Sequence, residues 1–371
     1  MKLAIYGAQG YALGAYEALK TLYPKRTVSC FVVSAIGNNA PVLGGIPVME
    51  LKAFSSRLTD TEKENTELLI ATPENVQPEI EEMLEDYGFK YHRRLDARNW
   101  GELMKLFHIK WGRFFPLEAL AVGYHKPFVR IYMAKFHKDR PLRNVPVLPD
   151  YVFPIQVGAV SADRQIADIL DNKGENISEK NGNYSELTGL YWVWKNKLAS
   201  DGMGTEGMSE TKFREMRQYY GLGQYRRMFE LSHEDLLRLV DNEVDVVLPY
   251  PMPYEPNIHA HHERYVRKQD WEALLQALGE LQPEYAAQFP IILEQQYLYN
   301  YNVILAKKAV LREYCEWLFP ILERIEELSI PRGAKRADRY IGYIAETLET
   351  LYFMKNADRL NVAHAVCRLY V

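Results

Sequence analysis

The residues best suited to chemistry lie between Asp171 and Asn196, in the stretch DNKGENISEKNGNYSELTGLYWVWKN. Carboxylate, amide and hydroxyl side chains come first, and a segment with two tryptophans and a tyrosine in four positions follows them. Such combinations bind sugars, because an aromatic face packs against the ring while donors and acceptors bind the hydroxyls. The stretch therefore predicts a site for a polar ligand, with burial of the aromatic residues in a core as the alternative.

The aromatic segment is predicted to be a helix, with Asn183 or Ser185 as its N-cap. In a helix, Thr188, Trp192 and Asn196 lie on one stripe, at i, i+4 and i+8. Core packing alone does not explain the polar loop that precedes this helix, which favours a binding role for the loop.

A second candidate is the stretch YYGLGQYRRMF at 219–229. We predict a buried strand that ends in Tyr225, Arg226 and Arg227. Adjacent residues on a strand face opposite ways, so at most one arginine is expected to enter a given site. A forked guanidinium suits a diphosphate, and a structural ion pair is the alternative.

Three glycines, Gly7, Gly10 and Gly14, lie where the first predicted strand turns into a helix. Glycines at such a turn let the backbone approach a phosphate, and the helix N-terminus supplies N–H groups. The spacing departs from GxGxxG, and the second strand ends in Ser34 where an NAD site has an acid. Nucleotide binding therefore competes with a purely structural role, and NAD chemistry is disfavoured.

Two further groups give weaker signals. The run His-Ala-His-His at 259–262 could hold a metal, but no second cluster completes a ligand set, so an exposed polar loop is favoured. Arg339, Tyr343 and Glu346 align at i, i+4 and i+7 on a predicted helix, where they either hold a substrate or form a solvated ion pair.

Composition narrows the class of protein. The chain has 371 residues, which suggests two domains, and a net charge of −4 that argues against a dedicated nucleic-acid binder. Its three cysteines are widely spaced and are predicted to be reduced thiols. The sequence starts without the pattern of a signal peptide and has no apolar run of about 20 residues, so we expect a cytoplasmic protein with peripheral membrane contact left open.

The order of elements predicts an α/β protein of two parts. Residues 1–115 alternate strands (2–6, 28–33, 68–71, 89–92) with helices, which is typical of a Rossmann-like parallel sheet covered on both faces. Residues 116–127, bounded by two prolines, are predicted to be a linker. Residues 128–371 mix strands and helices and form the second predicted domain.

Eight separated blocks of the second part occur in a familiar order, among them DNKGENISEKN, YSELTGLYWVWKN, GLGQYRRMF and YCEWLFPIL. In these blocks the chain resembles the DUF4422 family over about residues 128–371. That resemblance implies a GT-A-like glycosyltransferase of capsular or exopolysaccharide synthesis. The first 115 residues are similar, more loosely, to the Rossmann-like domain at the front of sugar acyltransferases, through the phrase VLGGIPVMEL at 42–51.

The resemblance implies roles for particular residues. Contacts to the sugar donor or acceptor are implied for the loop that holds Asp171, Asn172, Glu175, Asn176 and Ser178, for Glu186, and for Tyr225, Arg226 and Arg227. This chain has Gln224 where the family commonly has His, and it lacks an Asp-x-Asp at the corresponding place. Dependence on Mn²⁺ or Mg²⁺ is therefore open.

These observations lead to one hypothesis and an alternative. The chain would transfer a sugar, a UDP-hexose being the expected donor, to a polysaccharide repeat on a lipid carrier at the inner face of the membrane. Arg226 and Arg227, or a metal, would stabilise the leaving diphosphate. A base would be drawn from Asp171, Glu175, Glu186 and Glu346, with Glu186 preferred. The acceptor would contact Trp192, Trp194, Lys195, Asn196 and Asn302. The alternative is a scaffold of the polysaccharide machinery that transfers nothing.

Overall fold

The computed structural model describes residues 2–142, 145–198, 217–332 and 335–370. These residues form two compact units, one of residues 2–115 with Pro251–Pro256 and one of Pro116–Tyr250 with Asn257–Tyr370. The first unit has a mainly parallel sheet and the second a mixed sheet, each accompanied by helices. The predicted α/β fold class is thus confirmed.

The first unit is built on a six-stranded sheet in the order β3-β4-β2-β1-β5-β6, in which only β3 runs antiparallel to its neighbour. Its central strands are continuous apolar runs, as strands covered on both faces require. The strands are β1 (Lys2–Tyr6), β2 (Val28–Val33), β3 (Val42–Leu43), β4 (Ile46–Glu50), β5 (Thr66–Ile70) and β6 (Tyr91–Arg94). The helices are α1 (Gly10–Leu22), α2 (Leu51–Ser56), α3 (Asp60–Glu64), α4 (Gln77–Asp86) and α5 (Ala97–Trp111).

The second unit contains the larger sheet, in the order β16-β12-β15-β10-β7-β8-β9, with β11 and β17 paired beside β10. Four neighbouring strands, β9, β8, β7 and β10, run parallel and so share one carboxyl edge. The strands are β7 (Phe128–Lys135), β8 (Val152–Gln156), β9 (Ile169–Leu170), β10 (Gln218–Gln224), β11 (Arg227–Phe229), β12 (Val246–Pro249), β15 (Ile304–Lys307), β16 (Val362–Ala365) and β17 (Cys367–Leu369). Two short strands, β13 (Met252–Pro253) and β14 (Tyr297–Leu298), lie outside this order.

Helices of the second unit support this edge and the faces of the sheet. They are α6 (Asn181–Tyr184), α7 (Leu187–Lys197), α8 (His233–Asp241), α9 (Ile258–His262), α10 (Lys268–Leu281), α11 (Pro283–Glu294), α12 (Lys308–Leu328) and α13 (Tyr340–Lys355). Tyr314, Trp317 and Leu318 of α12 are buried, as their spacing predicts. Among the helices that the structure describes, none is long and apolar enough to cross a membrane.

The segment that was predicted as a linker is held against the second unit. Leu117 is 1% exposed and belongs to the core beneath the large sheet. Further along, the backbone N–H groups of Tyr124 and His125 donate to the carboxylate of Asp241 at the end of α8. The two prolines therefore bound an ordered, irregular segment, and its apolar Leu117 is a signal that the sequence reading did not use.

A buried ion pair holds the segment that leads into α13. The guanidinium of Arg336 donates to both carboxylate oxygens of Asp270 on α10, at 2.6 and 2.7 Å. Both side chains are almost fully buried, at 5% and 0% exposure. Arg336 lies three residues before Arg339, so this pair positions the start of α13.

We expect Asp270→Asn to lower the free energy of unfolding by about 3 kcal/mol, because it leaves a buried guanidinium without its charged partner. Urea denaturation at neutral pH measures the change. The matched control is Arg324→Gln, which breaks the partly exposed pair of Arg324 with Glu280 and should leave the stability unchanged within error. Equal effects of the two variants would contradict the role given to Asp270.

Candidate functional site

A cavity of about 430 Å³ opens at the carboxyl edge of the large sheet. It lies at the ends of β7 and β10. The strands β8 and β9 follow on one side of β7, and the next strand of the chain, β10, lies on its other side. Ligands of α/β proteins bind at such a switch in strand order. The lining residues are Ala134, Phe136, Asp139, Val157, Ser161, Ser178, Glu179, Asn181, Gly182, Ser185, Glu186, Gln224, Tyr225, Ala337 and Arg339.

Glu186 is the most buried carboxylate of this lining, at 8% exposure, and it directly precedes α7. Asn302 donates to its Oε1 at 2.7 Å. Burial raises the pKa of Glu186, while the bond from Asn302 and the charge of Arg339 act in the opposite direction. A carboxylate with a raised pKa in a cleft is a candidate general base.

Two glutamates of α13, the buried Glu349 and the mostly buried Glu346, lie close enough to Glu186 for its charge to act on them. Burial and the charge of Glu186 raise the pKa of Glu346 to about 8. Burial raises the pKa of Glu349 well above its ordinary value, and the charges of Glu346 and Glu186 add to the shift. Glu346 was predicted as a site residue from the sequence. Its electrostatic interaction with Glu186 and Glu349, which together form a carboxyl cluster, was not predicted.

Cationic and anionic side chains meet around Asp139, on the first turn after β7. Burial raises the pKa of Asp139, and the charges of Arg226, Lys135 and Arg339 oppose that shift. Arg226 and Arg339 come from distant parts of the sequence, and the fold brings the charges of both close enough to act on Asp139. This is an arrangement that can bind a multiply charged anion.

The backbone around the cavity is strained. Ser185 has φ of 52°, Arg339 has 63°, and the neighbours Tyr301 and Asn302 have 77° and 51°. Non-glycine residues in this region cost of order 1 kcal/mol each and collect at functional sites. Arg339 Nε donates to Ser185 Oγ at 2.9 Å, so two of the strained residues hold each other. Arg339 is therefore the N-cap of α13 and not the helical residue that its spacing predicted.

Asp171 is fully buried, and its carboxylate accepts four hydrogen bonds. The donors are the backbone N–H groups of Gly158 and Ala159 and the hydroxyls of Ser178 and Thr188, at 2.6–3.0 Å. Four bonds fill the acceptor positions of a carboxylate. The geometry thus gives Asp171 a structural task, joining three segments at the sheet edge, and leaves it no position for a substrate proton.

The predicted stripe on α7 binds the polar loop, and its contact with a sugar stays a prediction. Thr188 donates to the Asp171 carboxylate, Trp192 Nε1 donates to the carbonyl of Lys173 at 2.6 Å, and Asn196 Nδ2 donates to the carbonyl of Glu175 at 2.8 Å. Three residues of the helix thereby hold alternate residues of the loop. Gly174, with φ of 69°, lets Asn196 approach the loop, since a Cβ there would lie 2.1 Å from Asn196 Oδ1.

The remaining residues of this stretch divide between cavity and surface. Ser178 lines the cavity, and Trp194 and Lys195 line a separate small cavity in which Trp194 stacks on Phe319. Within the described chain, Asn172, Glu175 and Asn176 lie outside the lining of the larger cavity. Asn176 accepts from the backbone of Ser178, and Glu175 pairs with Lys195 at 3.1 Å.

The strand β10 ends at Gln224, earlier than predicted, because Tyr225 and Arg226 form a turn and Arg227 already begins the antiparallel strand β11. Gln224 donates to the carbonyl of Tyr301 at 2.8 Å, and Tyr225 follows in the lining. The guanidinium of Arg227 lies 3.6 Å from the centre of the Tyr301 ring, and its charge acts on Glu346. The two arginines thus act on different groups, since Arg226 faces Asp139.

The glycines of the first unit are packed against protein. A Cβ at Gly7, whose φ is 123°, would lie 2.6 Å from the carbonyl oxygen of Ala71. Gly10 and Gly14 contact residues 252–254, with Pro253 within 4 Å of a Cβ at either position. These contacts account for the three glycines structurally, and nucleotide binding there stays a prediction.

The histidine run is not the exposed loop that we expected. Residues 258–262 form the short helix α9, and His262 is buried at 1% exposure. Across the described ranges, no group of three or more His, Cys, Asp or Glu side chains is arranged to hold a metal ion. The acidic residues Asp241 and Asp245 make structural contacts. Asp241 accepts from the backbone of residues 124–125, and Asp245 forms an ion pair with Lys307.

Several lining residues were missed as candidates, above all Asp139 and Arg339 in its observed role. The run FVRIYMAKF from Phe128 is typical of a strand, and Asp139 lies three residues beyond it. A polar residue shortly after a buried parallel strand is a usable signal. Asn181 and Ser185 belong to the turn before α7, where Asn181 donates to the carbonyl of Ser185 at 2.7 Å.

The part of the sequence that forms the cavity matches a known protein family. The sequence profile described as Domain of unknown function (DUF4422) matches residues 130–357. The chain belongs to this family. The DUF4422 match takes in all residues that line the cavity.

One solved structure is similar to this DUF4422 protein. It is the apo structure of WbbM, a bifunctional glycosyltransferase, with a TM-score of 0.52 and 25% sequence identity. The match covers 65% of this chain and 45% of the WbbM chain, so this chain spans less than half of that protein. No curated protein sequence matches the chain.

We expect Asp171→Asn to lower the free energy of unfolding by roughly 3 kcal/mol, because the new amide turns a donor toward groups that need an acceptor. Chemical denaturation measures the loss. Glu175→Gln on the same loop is the matched control and should leave stability unchanged, since Glu175 is 60% exposed. Wild-type stability in Asp171→Asn would return Asp171 to the candidates for catalysis.

Proposed function

We propose that this protein is a glycosyltransferase that moves a sugar from a nucleoside diphosphate donor to a glycan acceptor. The cavity at the carboxyl edge, lined by Arg339 and the buried Glu186 and with the charge of Arg226 close to Asp139, is the observation that carries the proposal. Membership of the DUF4422 family and the similarity to WbbM support it.

The donor would bind with its diphosphate toward Arg226 and Arg339. As the bond between the sugar and the diphosphate breaks, the leaving group gains charge, and guanidinium groups fixed in place stabilise that charge. The positive charges of both arginines act on the carboxyl group of Asp139, which lies between the elements that carry them. Tyr225, between Gln224 and Arg226 at the cavity wall, would contact the nucleotide.

Glu186 would act as the base that takes the proton of the acceptor hydroxyl. It is fixed from behind by Asn302, which donates to Oε1 and also to the carbonyl of Gly342. The side chain of Gln224, which also lines the cavity, makes a further hydrogen bond to Glu186. In this arrangement Asn302 orients the base and does not contact the acceptor.

A divalent cation fits the described cavity poorly. Asp139 is the carboxylate of the lining that lies among the arginines, and their positive charges already act on it. In the part of the chain that the structure describes, no three ligating side chains converge. We therefore assign stabilisation of the leaving group to Arg226 and Arg339, and a role for Mn²⁺ or Mg²⁺ is decided by the binding experiment below.

The finer identity of the substrates follows from the family resemblance. We propose a UDP-hexose as donor and a polysaccharide repeat on a lipid carrier as acceptor, in capsular or exopolysaccharide synthesis at the cytoplasmic face of the membrane. The acceptor would approach Glu186 from the open side of the cavity, next to Arg339, which is exposed. Trp192 and Trp194, occupied by the loop and by Phe319, are not part of this path.

We expect one nucleoside diphosphate sugar to raise the melting temperature, because a ligand at 100 times its Kd adds about 2.7 kcal/mol of stability. A panel of such sugars, each with and without Mn²⁺, names the donor. Arg226→Gln and Arg339→Gln should each weaken its binding by about 30-fold, through the loss of a charged partner for phosphate.

The control for these variants is Arg324→Gln, whose side chain pairs with Glu280 away from the cavity and should bind the donor as the wild type does. Wild-type affinity in both Arg226→Gln and Arg339→Gln would refute the assignment of the diphosphate. A shift that requires Mn²⁺ would replace the arginines by a metal. The absence of any shift with folded protein would favour the scaffold function.

We expect Glu186→Gln to lower the transfer rate by about 10³-fold while donor binding persists, because the amide cannot accept the proton. Product formation with the donor named above measures the rate, and the melting shift measures binding. Glu326→Gln is the control, a like change at a buried carboxylate that bonds to Lys180 and Tyr184 outside the proposed machinery. A rate within tenfold of wild type would exclude Glu186 as the base.

A further inference from the structure

A stacked pair of tyrosines lies at the start of α13. Tyr265 follows α9 in a turn, and Tyr343 belongs to the first turn of α13. Their ring centroids are 5.0 Å apart, and the rings are inclined by only 22°. The ring of His261 packs against Tyr265 at a steep angle, with the centroids 5.5 Å apart. Although protein holds it in this way, Tyr265 is 47% exposed, so much of its ring surface faces solvent.

An ion pair joins the same two segments of the chain. Arg267, two residues after Tyr265, lies 3.3 Å from the carboxylate of Asp338, five residues before Tyr343. Both charged side chains are partly exposed. A guanidinium offers several N–H donors and a carboxylate offers acceptors, which are the groups that sugar hydroxyls need. The two segments therefore present an aromatic ring together with donors and acceptors.

The tyrosine pair adjoins the cavity through the backbone of α13. The N–H of Tyr343 donates to the carbonyl of Arg339 at 3.3 Å, and Arg339 lines the cavity. The preceding residue, Gly342, accepts from Asn302, the amide that orients the proposed base. A Cβ on Gly342 would lie 3.6 Å from the hydroxyl of Ser185, another lining residue. The first turn of α13 thus touches the wall of the cavity and carries the tyrosine pair.

Packing explains one of the two rings better than the other. Burial raises the pKa of Tyr343, and the charges of Arg339, Glu346 and Glu186 also act on its hydroxyl, which agrees with a position beside the site. Tyr265 gains less from burial, because close to half of its surface stays in water. A ring that is held in place and left exposed beside a cavity is suited to contact a ligand.

We propose that the Tyr265–Tyr343 pair is a subsite for a hexopyranose ring of the acceptor glycan, which packs on the exposed face of Tyr265 while Arg267 and Asp338 bind its hydroxyls. The assignment to the acceptor rests on the proposed function, in which the acceptor approaches the base next to Arg339 and Tyr225 contacts the nucleotide. Tyr343 holds Tyr265 in place and does not touch the sugar.

The arrangement lowers the cost of binding a sugar. Tyr343 and His261 fix the ring of Tyr265 before the ligand arrives, so little side-chain freedom is lost on binding. The C–H face of a pyranose then displaces water from the aromatic ring, while its hydroxyls keep polar partners at the edge. Loss of one stacking surface of this kind weakens binding about tenfold.

Saturation-transfer NMR with the methyl glycosides of glucose, galactose and mannose tests the subsite without a donor. We expect at least one glycoside to receive saturation from the wild-type protein. Its Kd should rise about tenfold in Tyr265→Ala and stay within about twofold in Tyr265→Phe, which keeps the ring. Tyr23→Ala is the matched control, since Tyr23 is 50% exposed on the first unit, and it should bind as the wild type does.

Two results of this experiment would overturn the proposal. One is the absence of saturation transfer to every glycoside, and the other is wild-type affinity in Tyr265→Ala. Thermal melting checks that the variants are folded. Should Tyr265→Ala fail to fold, Tyr265→Leu takes its place, because it keeps an apolar side chain against Tyr343 and removes the aromatic face.

Steady-state kinetics separate the subsite from the proposed function. With the donor identified by melting and the bound glycoside as acceptor, Tyr265→Ala should raise the acceptor KM about tenfold and leave the donor KM unchanged. A rise in the donor KM alone would place a nucleobase on Tyr265 and overturn the proposal. Glycoside binding that depends on Tyr265 in a protein without transferase activity keeps the sugar subsite and removes the glycosyltransferase. Transfer with a wild-type acceptor KM in Tyr265→Ala keeps the glycosyltransferase and removes the subsite.

Discussion

The candidate site depends on one buried charge, the carboxylate of Asp171. A charged group in the interior is tolerated only when its hydrogen-bonding positions are filled. Here the donors come from the turn after β8, from the loop and from the start of α7. Satisfying this carboxylate fixes the distance between these segments, and Ser178, Ser185 and Glu186 reach the cavity as a result.

A second constraint is the balance of charge inside the cavity. Glu186 lines the cavity, its charge acts on Glu346 and Glu349 of α13, and the charges of Arg227 and Arg339 compensate part of the desolvation of Glu346. Arg339 reaches this position only with a left-handed backbone, held by its bond to Ser185 and by the buried pair of Arg336 with Asp270. Ionic interactions and strained backbone conformations therefore occur at the same few residues, which is typical of sites that bind charged ligands.

The regular elements were predictable from the sequence because their signals are local. Strands such as β1 and β2 are unbroken apolar runs, and α12 shows its buried face in the spacing of Tyr314, Trp317 and Leu318. The order of the eight sequence blocks was also enough to indicate the DUF4422 family, which the profile match confirms. Glu186, which the sequence named as the preferred base, does line the cavity, and the roles of Glu186 and Arg226 stay predictions.

The partners of side chains were not predictable in the same way. Trp192 and Asn196 have the composition of a sugar site, yet they bind carbonyls of the preceding loop, and sequence does not show which acceptor an N–H finds. The burial of His262 depends on Thr347 and Glu346, more than eighty residues later in the chain. Arg339 was read as helical because its backbone strain arises from tertiary contacts and leaves no mark in spacing.

Because Pro251–Pro256 belong to the first unit, this unit cannot be completed early in synthesis of the chain. Residues 252–254 cover Gly10 and Gly14 at the start of α1, yet a ribosome completes them long after residue 115. Until then, Gly10 and Gly14 of α1 lack these contacts, and making them closes a long loop, at an entropic cost that grows only slowly with loop length. A fragment ending at residue 115 lacks this cover, so the order of synthesis, and not the boundary between the units, determines when the first unit is finished.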